Sequence, residues 1–155
     1  RLVEITGGEP LIHSNAFSLV TELLDRGFTV LVETSGAVEV ENLDPRAHKI
    51  MDLKCPGSGE ADKNLFSNLH HLTARDEVKF VVGDRRDFEW ACRVIREYGL
   101  DTRVKDEGLR ALLLSPVWGQ LELKTLSDWL LEENLPARVQ VQLHKLIGGP
   151  DAQGV

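Results

Sequence analysis

The sequence predicts an α/β protein built on a parallel sheet, and three observations carry that prediction. Apolar, β-branched runs alternate with stretches of helical spacing along the whole chain. Runs such as Phe28-Thr29-Val30-Leu31-Val32 are apolar on both faces, which marks strands covered on two sides. Polar clusters recur where strands end: Thr6 to Glu9, Glu33 to Ser35, Asp52 to Lys54, and Ser115. In barrels and open parallel sheets that edge carries the site, so the recurrence points to a constellation rather than to chance.

The elements follow in order. Val3 and Ile5 are β-branched and predict a strand that ends in Gly7-Gly8, where missing side chains let a ligand approach the backbone. Glu9 sets a carboxylate beside those amides, and Pro10 stiffens the exit. Ser14 or Asn15 caps a helix that carries Phe17, Val20, Leu23 and Leu24 and stops at Gly27. Strands are expected over 28–32 and 48–54, with loops at 42–46 and 55–60, then a helix through Leu65, Leu69 and Leu72. A strand over 77–82 precedes a helix capped by Asp84 and ended by Gly99. A fifth strand spans 110–114, a helix 121–131, and a last alternating strand 138–143, with His144 and Lys145 after it.

Composition bounds the function. The 155 residues suit one domain, and a hydrophobic content of 42% excludes a disordered chain. A net charge of −7 argues against a general nucleic-acid or anionic-membrane surface. There is no long apolar run and no signal-peptide pattern, so a cytoplasmic location is expected. Cys55 and Cys92 are far apart and suggest neither a disulfide framework nor a zinc knuckle. Arg1 leads straight into strand-like sequence, so the chain is expected to be a piece of something longer.

Plainer readings stand for several residues. His13, His48, His70 and His71 show no ligand spacing and read as surface or satisfied histidines. Trp118 and Trp129 suit a core, and Glu132-Glu133 a solvated helix end. Taken alone, Glu33 could simply cap a turn.

The motif Thr6-Gly7-Gly8-Glu9-Pro10 resembles the glycine-rich motif of the radical S-adenosylmethionine superfamily. With ETSG (33–36), MDLKCPGSGE (51–60), DEVKFVV (76–82), LLLSPV (112–117) and VQLHKLI (141–147), the chain resembles the 7-carboxy-7-deazaguanine synthase family from Val3 almost to its end. The resemblance implies a partial (β/α) barrel of the radical SAM type, a single incomplete core domain over 1–155 that lacks the first strand and the cluster loop. It implies a ring contraction of 6-carboxy-5,6,7,8-tetrahydropterin with loss of ammonia, on the route to queuosine and related 7-deazapurines. The implied cofactors are S-adenosyl-L-methionine, a four-iron, four-sulfur (4Fe-4S) cluster and magnesium. The family's cluster cysteines and magnesium ligand precede TGGEP, so none is expected in this stretch, which would not turn over by itself.

Carried over residue by residue, the resemblance implies that Gly7, Gly8 and Glu9 hold the amino group of S-adenosylmethionine. Ser35, Asp52, Lys54 and Ser115 would also face that cofactor, and Thr6, Glu33 and His144 the pterin. Many family members carry Ser-Pro-Lys where this chain has Asp52-Leu53-Lys54. No catalytic side chain is implied, since the radical belongs to the cofactor. Implied partners are a flavodoxin-like or other electron donor and a second copy in a homodimer, with no nucleic acid and no membrane. Two alternatives remain open: a glycyl-radical-enzyme activase of the same superfamily, and a non-catalytic α/β binding module.

Overall fold

The computed structural model describes residues 1–149. Six strands form one all-parallel sheet: β1 Leu2–Ile5, β2 Thr29–Thr34, β3 His48–Leu53, β4 Glu77–Val82, β5 Ala111–Pro116 and β6 Ala137–Val139. Their spatial order is the chain order, β1 to β6. The order never reverses, so there is no switch point of the doubly wound kind, and the sheet is of the type found in a partial β/α barrel.

The helices are α1 Asn15–Asp25, α2 Arg85–Glu97, α3 Leu100–Lys105, α4 Leu123–Glu133 and α5 Leu143–Gly148. Residues of α1, α2 and α4 share one core with Val30, Val32, Met51, Leu53, Val78, Phe80, Val82, Leu112 and Leu114. Strand side chains alternate, so the register sends Glu33, Ile50, Asp52, Lys79, Val81 and Ser115 to the opposite, inner face. The core side therefore fixes the polar side: each apolar residue packed under a helix aims its neighbour inward.

Three local expectations need correction, and one short helix is additional. The stretch through Leu65, Leu69 and Leu72 is not an α-helix but two 3-10 turns, Ala61–Lys63 and Phe66–His71. Side-chain amides compete with the helix there: Asn64 bonds the Lys54 N–H and carbonyl, and Asn68 bonds Val40 N–H and the carbonyls of Gly36 and Val38. The last strand stops at Val139 instead of running to Leu143. Gln140 N–H still reaches the Leu114 carbonyl at 2.8 Å, but the return bond would need an N–H at Pro116, which has none. The alternation of 138–143 therefore outlasts its partner, and the chain turns into α5. Ser14 stands at the N-cap of α1 without a capping bond from its side chain. The short α3 follows Gly99, whose φ of 61° breaks α2, and buried Leu100 anchors it.

Other boundaries match the expectations closely. Glu77–Val82 is β4, and Asp84 caps α2 by accepting the Asp87 N–H at 2.9 Å. No helix among the described residues is long and apolar enough to cross a membrane.

Candidate functional site

The C-terminal strand ends converge on a polar cavity of about 250 Å³ lined by Thr6, Gly7, Gly8, Glu33, Thr34, Ser35, Asp52, Lys54, Lys79 and Gln142. The glycine loop after β1 forms one wall. Gly7 and Gly8 hold φ values of 105° and 55°, which favour glycine, and an added Cβ would meet nothing within 4 Å of either. The demand for glycine is thus conformational, and the space above the loop stays open to a ligand.

Glu9 is not an idle carboxylate. It accepts from Leu11 N–H (3.0 Å), Ser35 N–H (2.7 Å), Ser35 Oγ (2.6 Å) and Thr34 Oγ1 (2.8 Å). It thereby ties the glycine loop to the end of β2, and Ser35 spends its hydroxyl on the same joint. Ser35 lines the cavity, but its hydroxyl faces Glu9 behind the loop.

Across the inner face runs a row of charges. Lys79 on β4 donates to Glu33 Oε1 at 2.6 Å, and Thr6 Oγ1 donates to Glu33 Oε2 at 3.3 Å. Lys54 Nζ lies 3.0 Å from Asp52 Oδ2, and Lys79 Nζ lies 3.9 Å from that same oxygen. Burial pushes the Glu33 carboxyl up, but the bond from Lys79, the Lys79 charge, the Thr6 bond and the Lys54 charge outweigh it and hold the group below its ordinary value. Glu33 is therefore an anion at neutral pH, able to accept two parallel donors.

Lys79 and Thr34 were not singled out from sequence. A signal for Lys79 existed: in Glu77-Val78-Lys79-Phe80-Val81-Val82 it alternates with three core residues, which sends a charge to the inner face.

Ser115, next to last in β5, is 1% exposed, with no partner for its hydroxyl; Asp52 Oδ1 is the other buried polar side-chain atom without a partner among the described residues. Ser115 opens onto a separate, larger cavity of about 370 Å³ with Pro116, Trp118, Gly119, Leu121, Glu122, Leu123, Val141 and Gln142. Trp118 is 43% exposed there, so it lines a cavity instead of filling the core. His144 lies in α5, but its side chain is outside the described residues.

The open glycine loop, the orphaned Asp52 oxygen and the part-exposed Lys54 fit a ligand that carries both an ammonium and a carboxylate, as S-adenosylmethionine does. They do not fit an iron–sulfur cluster. Cys55 and Cys92 are both buried, and no group of three or more His, Cys, Asp or Glu could hold a metal among the described residues.

Comparison with known proteins follows the same line. The chain is 42% identical to the 7-carboxy-7-deazaguanine synthase of Chlorobaculum tepidum over 99% of its own length and 68% of that protein's. It is 36% identical to the synthase of Koribacter versatilis, over 99% of this chain and 72% of that one. It is 38% identical to that of Methanospirillum hungatei, covering 94% of this chain and 58% of the relative. No family model matches. Identity at this level over nearly the whole chain favours neither the activase nor the binding module, and the chain belongs to the 7-carboxy-7-deazaguanine synthase family.

Proposed function

We propose that the protein to which this chain belongs converts 6-carboxy-5,6,7,8-tetrahydropterin to 7-carboxy-7-deazaguanine with loss of ammonia, as a radical SAM carbon–nitrogen lyase of queuosine and 7-deazapurine biosynthesis. The observation that carries this reading is the meeting, at one sheet edge, of an open glycine loop with the anionic Glu33 on the neighbouring strand. S-adenosylmethionine and a 4Fe-4S cluster supply the radical chemistry when bound. The described residues offer no ligand set for that cluster or for magnesium, and no role here runs through either. We read residues 1–155 as one incomplete core domain.

The chain's own residues bind and orient. Gly7 and Gly8 present bare backbone to the amino acid end of the cofactor, while Glu9 holds their loop and adds negative charge for an ammonium group. Lys54 meets the carboxylate with Asp52 beside it; Ser35 touches the cofactor, and Ser115 reaches its adenosyl group from the neighbouring cavity. Glu33 accepts the paired N–H groups of the pterin's guanidine-like edge, with Thr6 beside it. His144 belongs to the segment that faces the pterin. A cytoplasmic homodimer served by a flavodoxin-like or other electron donor accords with this chemistry.

The test is product formation by the full-length protein, reconstituted anaerobically and supplied with pterin, S-adenosylmethionine and reductant. Mass spectrometry should detect 7-carboxy-7-deazaguanine. Cleavage of S-adenosylmethionine without that product would refute the assignment.

A further inference from the structure

Four charged side chains stand in sequence across β2, β3 and the adjoining β4: Glu33, Lys79, Asp52 and Lys54. Lys79 and Asp52 are cross-strand neighbours in register. The Lys79 ammonium is bonded to Glu33 Oε1 at 2.6 Å and stops 3.9 Å short of Asp52 Oδ2. Lys54 takes that Asp52 oxygen at 3.0 Å, while Asp52 Oδ1 is buried and without a donor. One cation thus lies between two anions, bonded to one, while the other keeps an unused buried acceptor. Asp52 Oδ2 is thus a second station for Lys79, one that Lys54 now occupies.

Lys79 can reach it. Its side chain ends in three rotatable donors on a flexible stem, and closing 3.9 Å to hydrogen-bond distance needs a shift on the order of 1 Å. A flat heterocycle that sets two N–H groups against Glu33 needs both carboxylate oxygens. On one of them it must share the oxygen with the Lys79 ammonium, which weakens both bonds.

We propose that Lys79 is a positioning residue with two stations: bonded to Glu33 until a ligand's paired N–H groups take that carboxylate, it then moves onto Asp52, which loosens Asp52's hold on Lys54 and frees Lys54 for a ligand carboxylate. This rests on the reading of the two ligands given under Proposed function. The pterin and S-adenosylmethionine then bind with positive coupling, although the groups that touch them differ. By linkage the factor is the same in either direction, and one displaced ion pair makes it roughly 5- to 10-fold, at the low end of known couplings.

The experiment uses the full-length, cluster-loaded protein without reductant, so that neither ligand is consumed. Calorimetry gives the affinity for S-adenosylmethionine with and without saturating 6-carboxytetrahydropterin, and the reverse. The wild type should show the coupling in both directions. Lys79→Met should reduce it to none, whatever it does to either single affinity, and Lys79→Arg should restore part of it. A merely structural lysine would lower both affinities and leave their ratio alone. Coupling that survives Lys79→Met, or two ligands that bind the wild type independently, would overturn the proposal while leaving the function intact. A wild type that binds no pterin would overturn both. If Lys79→Met does not fold, the wild-type structure with pterin bound decides: Lys79 on Asp52 supports the two stations, and Lys79 still bonded to Glu33 overturns them.

Discussion

Replacing Glu9 by glutamine tests how far the glycine loop depends on one carboxylate. In the wild type one oxygen of Glu9 takes Leu11 N–H and the other takes Ser35 N–H, with the Thr34 and Ser35 hydroxyls on the same group. The hydroxyls can turn and accept from an amide; the two backbone N–H groups cannot. Whichever way the new amide faces, one N–H loses its acceptor and confronts a second donor. Leu11 is 2% exposed, so water offers its amide little relief. Bonds to a charged acceptor contribute about 1.5–3 kcal/mol each, which puts the net loss near 2 kcal/mol. For a chain of this size that is a drop of roughly 4–8 °C in Tm. Thermal and urea unfolding followed by circular dichroism would measure it, beside Glu22→Gln, which breaks only an exposed helix pair with Arg26. In the full-length protein the same variant should weaken S-adenosylmethionine more than pterin. If Glu9→Gln unfolds together with Glu22→Gln, the loop is not held by this carboxylate and the reasoning fails.

Other outcomes follow from the same geometry. Asp76→Ala should cost about 3–5 kcal/mol by urea titration, since it strands the buried Lys49 ammonium, paired to Asp76 at 3.0 Å, and two backbone N–H groups. The Glu33 carboxyl should titrate below its ordinary 4.5 by carbon NMR, so its stabilisation is present above that pH and lost as pH falls through the folded value; Lys79→Met should raise it, since burial then acts with less opposition. Burial, with the Glu133 charge, pushes the Cys92 thiol up to about 11, and burial with the Asp87 charge raises Cys55 further. Neither should react with a disulfide reagent near neutral pH until urea unfolds the chain, and the Cys92 contribution to stability should fade as pH rises from 9 toward 11.

Much of this was legible in the chain and some was not, for physical reasons. Strand ends announced themselves because apolar runs stop abruptly at polar residues, as at Glu33 and Asp52. The pairing of Glu33 with Lys79 was hidden, because 46 residues separate them and only the register of β2, β3 and β4 brings them together. Leucine spacing at 65, 69 and 72 imitated a helix, while Asn64 and Asn68 decided otherwise by bonding elsewhere. Pro116 cut short β6 through a missing hydrogen on the neighbouring strand, a cause that sits outside the segment it affects. Local pattern reported the faces; the partners were non-local.

Asn68 has a consequence for the order of events during synthesis. Its single amide fastens residues 36–40, the stretch that leaves the end of β2, from 28 to 32 positions downstream. That stretch cannot adopt its final path when it first emerges, because its clamp has not yet been made. At ordinary elongation rates the wait is on the order of two to six seconds, long beside the microseconds in which a local turn forms. The loop beyond β2 thus stays unclamped on the nascent chain until residue 68 arrives, even though β3 can pair with β2 before then. Slow codons between 40 and 68 would lengthen that window and should lower the yield of folded protein more than the same codons placed after 82.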